Sequence, residues 1–354
     1  MGLVGVALLT VLAGVARYVS SVPHVAAFAV AGLALAGGAW IVSFSTEQVG
    51  QRFGPAVTGL MQSTLGNLPE FFVVIFALNA GQKVVAETAI LGSILVNALL
   101  VLGLVIVVGA RRERDRVMRF GVRLPNDTAT LLLIASFIIV LVGLANSAHD
   151  AASHHIKTIS IISAIAILIV YGVWMAQYLR SDTRPEGAAG GGENGGEDGG
   201  PSGALATSLA LLAVGGVASA FVSDWFVNAL QPTIDSLHIS QAFAGLVIVA
   251  IAGNAVENAA GIALAHKGQS ELAISVVKNS VAQIAAFLYP LLVLVSLLTA
   301  TTLTFALAPV YTGALLGTAV IVWQITGDGE ATPFEGAALI AAFVILATVA
   351  AFES

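Results

Sequence analysis

Apolar residues run through most of this chain in stretches of about 20, divided by short polar breaks, and only one break is long. A helix needs about 20 predominantly apolar residues to cross the hydrocarbon core of a bilayer. Eleven stretches meet that requirement: residues 2–20, 23–46, 54–80, 83–109, 128–146, 156–180, 203–230, 240–266, 270–298, 303–325 and 333–352. The pattern predicts an all-α polytopic membrane protein. The long break, 181–202 ("SDTRPEGAAGGGENGGEDGGPS"), is too rich in Gly, Glu and Asp to bury a core and is expected to be a flexible linker. It leaves six spans before it and five after.

Two of the apolar runs are interrupted in the same way. Residues 66–70 read "GNLPE" and residues 253–257 read "GNAVE", each placing a glycine, a carboxamide and a carboxylate where a plain span would be apolar. Gly66 and Gly253, Asn67 and Asn254, and Glu70 and Glu257 are all separated by one constant shift along the chain. The same shift pairs Ile75 with Ile262, Gly81 with Gly268, Gln82 with Gln269, Ala86 with Ala273, Ser93 with Ser280 and Ala98 with Ala285. Nine identities in one ungapped register from Gly66 to Ala98 mark an internal repeat.

Composition removes the soluble alternatives. Hydrophobic residues make up 58% of the 354 residues and charged ones 10%, against about 25% charged in soluble proteins. Mean hydropathy is +0.95. With no cysteine in the chain, disulfides, thiolate metal sites and cysteine nucleophiles are excluded. The start, "MGLVGVALLTVLAGVARYV", lacks a basic leader region and reads as a first span with no preceding tail. Orientation follows from Lys and Arg, which concentrate on the cytoplasmic side. Residues 111–123, "RRERDRVMRFGVR", hold six arginines; alternate threading from there places Arg52, Arg180, Arg184 and Lys267 on the same side. Only Arg17, Lys83 and Lys157 fall opposite. The expected topology is N-terminus inside and C-terminus outside, with an N-terminal helix (1–22), a first half (23–180), the cytoplasmic linker (181–202) and a second half (203–354). Minimal loops and the absence of cysteine are compatible with a prokaryotic plasma membrane.

The second unit comes five spans after the first, and an odd displacement inverts it, as in the inverted-topology repeats of secondary transporters. Each glutamate lies about 16 residues into its run, or ~24 Å along a helix, so the two are expected to meet near the bilayer midplane from opposite faces. A carboxylate at that depth costs about 2.5–3.5 kcal/mol on insertion scales and needs a partner or a water-filled cavity. Two facing carboxylates would repel unless a cation or protons intervene. Calcium takes six to eight oxygens; Glu70 and Glu257 could offer up to four and cancel its charge. Asn67 and Asn254, one turn earlier, share a face with the glutamates. Gly66 and Gly253 allow close helix approach, and Pro69 is expected to free an upstream carbonyl. Because a protonated carboxyl cannot ligate, cation and proton exclude each other, which is the logic of antiport.

The stretches "GNLPEFFVVIFAL…AILGSILVNALLVLG" (motif 66–103) and "GNAVENAAGIALA…NSVAQIAAFLYPLLVL" (motif 253–290) resemble the two repeats of the cation/proton exchanger branch of the calcium/cation antiporter superfamily. The Thr46–Glu47 pair, the "GDGEATPFEG" stretch before the last span and the acidic linker extend the likeness over nearly the whole chain. The resemblance implies an eleven-span fold and exchange of cytoplasmic Ca2+ for H+, with no bound cofactor. Glu70 and Glu257 would be the principal metal ligands. Asn67 and Asn254 would join them, with Ser93, Asn97, Ser280 and Gln283 lining the pathway. Where relatives often have histidine after the second glutamate this chain has Asn258, and Asn279 replaces the glycine before Ser280; Pro69 is similar to the sodium/calcium branch.

Other polar residues in apolar runs have alternatives. Asp224 reads as a second acid near the path or a packing contact. Glu87 lies close enough to the outer end of its span to reach water. Lys278 would either snorkel to the cytoplasmic surface or form a salt bridge with a carboxylate. His149, His154, His155 and Asp150 cluster on an outer loop, where solvated histidines are the default. A sodium-coupled exchanger is the alternative within transport, and a cation channel the alternative outside it. An enzyme is not expected, since neither HExxH nor GxSxG occurs. No nucleic-acid partner is expected.

Overall fold

A computed structural model describes residues 2–19, 21–50, 61, 65–182 and 202–353 of the chain. The elements are α1 (Leu3–Tyr18), α2 (His24–Gly50), α3 (Leu68–Asn79), α4 (Lys83–Ala110), β1 (Met118–Arg119), α5 (Arg123–Ser147), α6 (Ile156–Asp182) and α7 (Ser202–Leu237). They continue as α8 (Gln241–Gly253), α9 (Ala255–His266), α10 (Ser270–Leu298), α11 (Pro309–Thr326), β2 (Glu330–Ala331) and α12 (Pro333–Ala351). Among the described residues eight helices are long and apolar enough to cross a membrane. A ninth candidate is the pair α8 and α9, bent by 63° at the single residue between them. The helices α1 and α3 are apolar but shorter; they stand where the first and third spans are expected. The first part of that third span, with Arg52, lies outside the described residues. So does the linker from 183 to 201 with Arg184, whereas Ser181, Asp182 and Ser202 are helical. Among the boundaries that differ from the hydropathy reading, α5 begins at Arg123, α7 continues to Leu237 through Pro232, and α11 begins only at Pro309.

Burial ranks the helices. In α4, 83% of the most apolar window is buried, and in α10, 61%; in α6 and α12 the figure is 28%. The repeat helices α4 and α10 therefore form the centre. Phe137, Ile162, Val214 and Ile345 are exposed on outer helices, as expected for surfaces that face lipid.

Backbone geometry recurs in the register of the sequence repeat. Asn67 and Asn254 have φ/ψ of −88°/11° and −96°/11°. Gly81 and Gly268 follow the paired helices with φ of +75° and +77°, a conformation natural for glycine. The π-helical stretch Val96–Val101 in α4 has a counterpart at Ile284–Leu288 in α10.

Ties between loops fall into two sets. In the first, β1 pairs antiparallel with β2, Met118 opposite Ala331 and Arg119 opposite Glu330. Arg119 contacts Glu330 at 3.1 Å and Asp115 at 2.7 Å, and its guanidinium holds the Asp115 carboxyl below the usual carboxylate range. Arg112 donates to the His266 carbonyl, and the Gly121 N–H donates to Glu271 at 2.5 Å. Within the same loop set the "GDGEATPFEG" stretch forms β2 and the capping box of α12, where Thr332 and Glu335 bond reciprocally. In the second set the Ala300 N–H donates to Asn79 at 3.3 Å, Ser240 donates to the Ala350 carbonyl at 2.5 Å, and Tyr311 donates to Glu353.

Candidate ion site

Both glutamates stand at the start of a helix. A turn at Gly66–Asn67 precedes α3, Pro69 occupies its first turn and Glu70 follows. Proline is suited to that position, since the N–H it lacks would have no helical partner. Pro69, expected to free an upstream carbonyl within its helix, stands instead in the first turn of α3, after the Gly66–Asn67 turn that makes the break. Asn254 likewise separates α8 from α9 and puts Glu257 in the first turn of α9. A carboxylate is favoured there by the unpaired N–H groups and the helix dipole.

The side chains around them form one buried chain of hydrogen bonds. Ser280 of α10 donates to Glu257 Oε2 at 2.5 Å. Asn97 of α4 donates through Nδ2 to Ser280 Oγ at 3.2 Å and to Asn254 Oδ1 at 3.0 Å. Asn254 donates to Ser93 Oγ and to the Ala250 carbonyl, both at 2.9 Å. Glu70, only 7% exposed, rests on Gly253: a Cβ at that glycine would come within 3.1 Å of Glu70 Oε1. Beside Glu70 a cavity of about 10 Å³ is lined by Val73, Val74, Ala89, Ile90, Ser93, Val249 and Gly253, room for no more than one water. Glu70 Oε2 and Asn258 Oδ1 are buried without a hydrogen-bond partner among the described residues. Buried oxygens seldom stay unpaired, and here they have the chemistry of hard-cation ligands. Among the described residues no group of three or more His, Asp or Glu comes together, and this site offers two carboxylates with neutral oxygens.

Asn67 and Gly66 lie at the turn before Glu70, Asn67 buried and Gly66 half-buried. Gln283 is half-buried where α10 turns π-helical, outside the hydrogen-bonded chain. Three expectations change. Asp224 turns to its own helix and accepts from Asn228 at 3.1 Å; its neighbour Ser223 is the one that reaches the site, donating to the Pro69 carbonyl at 3.4 Å. Nothing in the sequence signals Ser223, a small residue in an apolar span. Lys278 does not snorkel, and among the described residues it has no carboxylate partner. It is 2% exposed, and its Nζ donates to Thr326 Oγ1 at 2.8 Å, because α11 presents a hydroxyl where the amine could otherwise reach toward water. Glu87 pairs with Lys83 at 3.4 Å on its own helix. His149, His154 and His155 are exposed and gather no metal set, while Asp150 caps the short turn that follows it. Thr46 is fully buried in α2; the side chain of Glu47 lies outside the description.

The sequence profile described as sodium/calcium exchanger protein matches residues 23–178 and 207–352. The chain belongs to that family. Within the sodium/calcium exchanger protein family it is 32% identical over 315 residues to the vacuolar calcium ion transporter of Schizosaccharomyces pombe, covering 86% of this chain and 74% of the relative. It is 30% identical over 317 residues to the Ca2+/H+ antiporter ChaA of Bacillus subtilis, covering 86% and 85%. Among solved structures, native YfkE superposes with a TM-score of 0.78 at 25% identity over 99% of this chain and 98% of that one. The H+/Ca2+ exchanger CAX shares the fold with a TM-score of 0.75 at 14% identity over 98% and 90%. The sodium-calcium exchanger NCX_Mj is more distant, at 0.57 and 18% over 92% and 98%.

Proposed function

We propose that this member of the family is a secondary active antiporter that exchanges Ca2+ for H+ across a membrane by alternating access. The observation that carries the reading is the buried chain from Glu257 through Ser280, Asn97 and Asn254 to Ser93, with Glu70 seated on Gly253. It gathers two carboxylates and several neutral oxygens where helices from both halves meet. The relatives named Ca2+/H+ antiporter, and the greater structural likeness to YfkE and CAX than to NCX_Mj, support protons over sodium as the coupling ion.

In this reading Glu70 and Glu257 alternate between holding calcium and holding protons. Calcium binding requires both to be ionised; protonation removes the ligand charge and releases the metal. Two acids set a limit of two protons per calcium through this pair. Other divalent cations of similar oxygen preference would compete. We read the architecture as eleven spans, an N-terminal helix plus two inverted halves of five, with the linker cytoplasmic. The loop ties support that threading, since each joins ends that alternate crossing puts on one face: 111–121 with 266–271 and 330–331, and Asn79 with Ala300. The arginines of 111–123 favour a cytoplasmic side for the first of these sets. No catalytic role is assigned.

The test is calcium uptake by proteoliposomes driven first by a pH gradient and then by a sodium gradient. Uptake with the pH gradient alone, saturating with calcium and accompanied by proton release, is the expected result. Uptake with sodium alone would replace it by the sodium-coupled reading, and flux that does not saturate would point to a channel.

A further inference from the structure

A cavity of about 360 Å³ opens where the start of α5, the start of α10 and the end of α6 come together. Its size falls within the ~300–1,000 Å³ of small-molecule sites. Leu124 and Trp174 give it an apolar wall, and Arg123, Asp127, Gln177 and Glu271 supply its polar part. None of these residues belongs to the hydrogen-bonded chain around Glu257 and Glu70. In the threading above, all three helix ends face the cytoplasm.

The charges in this cavity are not paired with one another. Arg123 and Asp127 stand one turn apart on α5, a spacing at which opposite charges attract, yet neither forms an ion pair among the described residues. Glu271 is held by backbone instead. The Gly121 N–H donates to its Oε2 at 2.5 Å, and a Cβ at Gly121 would come within 2.8 Å of its Oε1. The cavity therefore presents a guanidinium and two carboxylates to whatever enters it. A guanidinium matches the oxygens of a phosphate, and carboxylates match a primary ammonium, which brings three donors. Trp174 fits the same partner, because indole rings concentrate at headgroup depth.

Below these groups the face of α6 turns apolar. Val173 and Val170 lie one and two turns from Gln177 on the same side of the helix, toward the bilayer centre, and both are exposed. A water-soluble zwitterion gains nothing from that stripe, whereas an acyl chain covers it.

We propose that this cavity binds the headgroup of an aminophospholipid, with its phosphate at Arg123, its primary ammonium between Asp127 and Glu271, and an acyl chain along Val173 and Val170. The assignment to the cytoplasmic leaflet rests on the threading proposed above. Bound there, the lipid joins α5 and α6 to α10, the helix that carries Ser280, and stabilises the folded chain by mass action.

The test is thermal unfolding of the full chain in detergent during titration with phosphatidylethanolamine, phosphatidylcholine or phosphatidylglycerol of the same acyl chains. Phosphatidylethanolamine is expected to raise the melting temperature by several degrees. The other two should raise it little, since a quaternary ammonium donates no hydrogen bond and a glycerol headgroup carries no cation. Arg123→Gln and Asp127→Asn should each remove most of the rise and leave the lipid-free melting temperature near that of the parent, because both side chains are exposed. Equal rises with all three lipids, or an undiminished rise in both variants, would overturn the proposal. Soluble glycerophosphoethanolamine at the same concentration should produce no shift; a shift equal to that of the lipid would overturn the assignment to a lipid. Unfolding requires no ion exchange, so failure here leaves the transport reading standing. Absence of calcium uptake in proteoliposomes that contain phosphatidylethanolamine would refute the transport reading instead.

Discussion

The two Gly-Asn-x-x-Glu stretches match in sequence and in backbone, yet their carboxylates are held differently. Glu257 accepts a 2.5 Å hydrogen bond from Ser280 in its own half. The equivalent serine, Ser93, does not repeat this with Glu70; it accepts from Asn254, across to the other half. Glu70 is packed on Gly253 instead, and its Oε2 has no hydrogen-bond partner among the described residues. A repeat therefore supplies equivalent groups without equivalent bonds. In this conformation one carboxylate is anchored and the other is available, an arrangement suited to a site that must both hold and release an ion.

The strongest way to break that comparison is to neutralise each acid in turn. Glu70→Gln and Glu257→Gln should each reduce calcium-driven proton flux in proteoliposomes to background while the protein still inserts; near-parental flux in either would remove that residue from the site. Proton competition comes next. Acidifying the calcium side should raise the half-saturating calcium concentration, because each protonated carboxyl is lost as a ligand, and a half-saturation independent of pH would separate proton binding from these two groups.

Smaller effects sharpen the contrast between anchored and available. Ser280→Ala removes a hydrogen bond to a charged group, about 1.5–3 kcal/mol, and should weaken apparent calcium affinity by roughly tenfold or more. Ser93→Ala, whose partner is the neutral Asn254, removes about 0.5–1.5 kcal/mol and should show mainly as a lower melting temperature. Equal effects of the two on affinity would mean that the halves are held alike. The smallest effect is expected at Lys278. Its amine has the neutral Thr326 as partner rather than a carboxylate, so Lys278→Met should leave calcium affinity nearly unchanged and thermal stability equal or higher, since a buried charge paired with a neutral group is costly. A marked tightening of calcium binding would show that the charge acts on the site.

Much of this protein was legible in the sequence because the bilayer simplifies the problem. Long apolar runs have one solution, the helix, so a polar residue within them stands out, and Glu70, Glu257, Asn67 and Asn254 were singled out that way. Gly81 and Gly268, paired in the register of the repeat, both take a positive φ where paired helices reverse, a finding of the structure. Asp224 and Lys278 were harder to read. A polar residue inside a span announces that it needs a partner without naming it, and Asp224 found Asn228 on its own helix while Lys278 found Thr326 on another.

What the sequence determined alone was the set of parts: the apolar spans, the repeated Gly-Asn-x-x-Glu stretches and the serine one helix after each glutamate. Only the tertiary structure decided who meets whom. The bridge from Asn97 to Asn254 and Ser280, the seat of Glu70 on Gly253, the reach of Ser223 to Pro69 and the close approach of Gly92 to the backbone of Leu246 all join helices far apart in the chain. The reason is physical. Periodicity reports how a helix meets its solvent, whereas a hydrogen bond or a backbone contact between two helices depends on their rotation and separation to a fraction of an ångström, and those are set by the packing of the whole bundle.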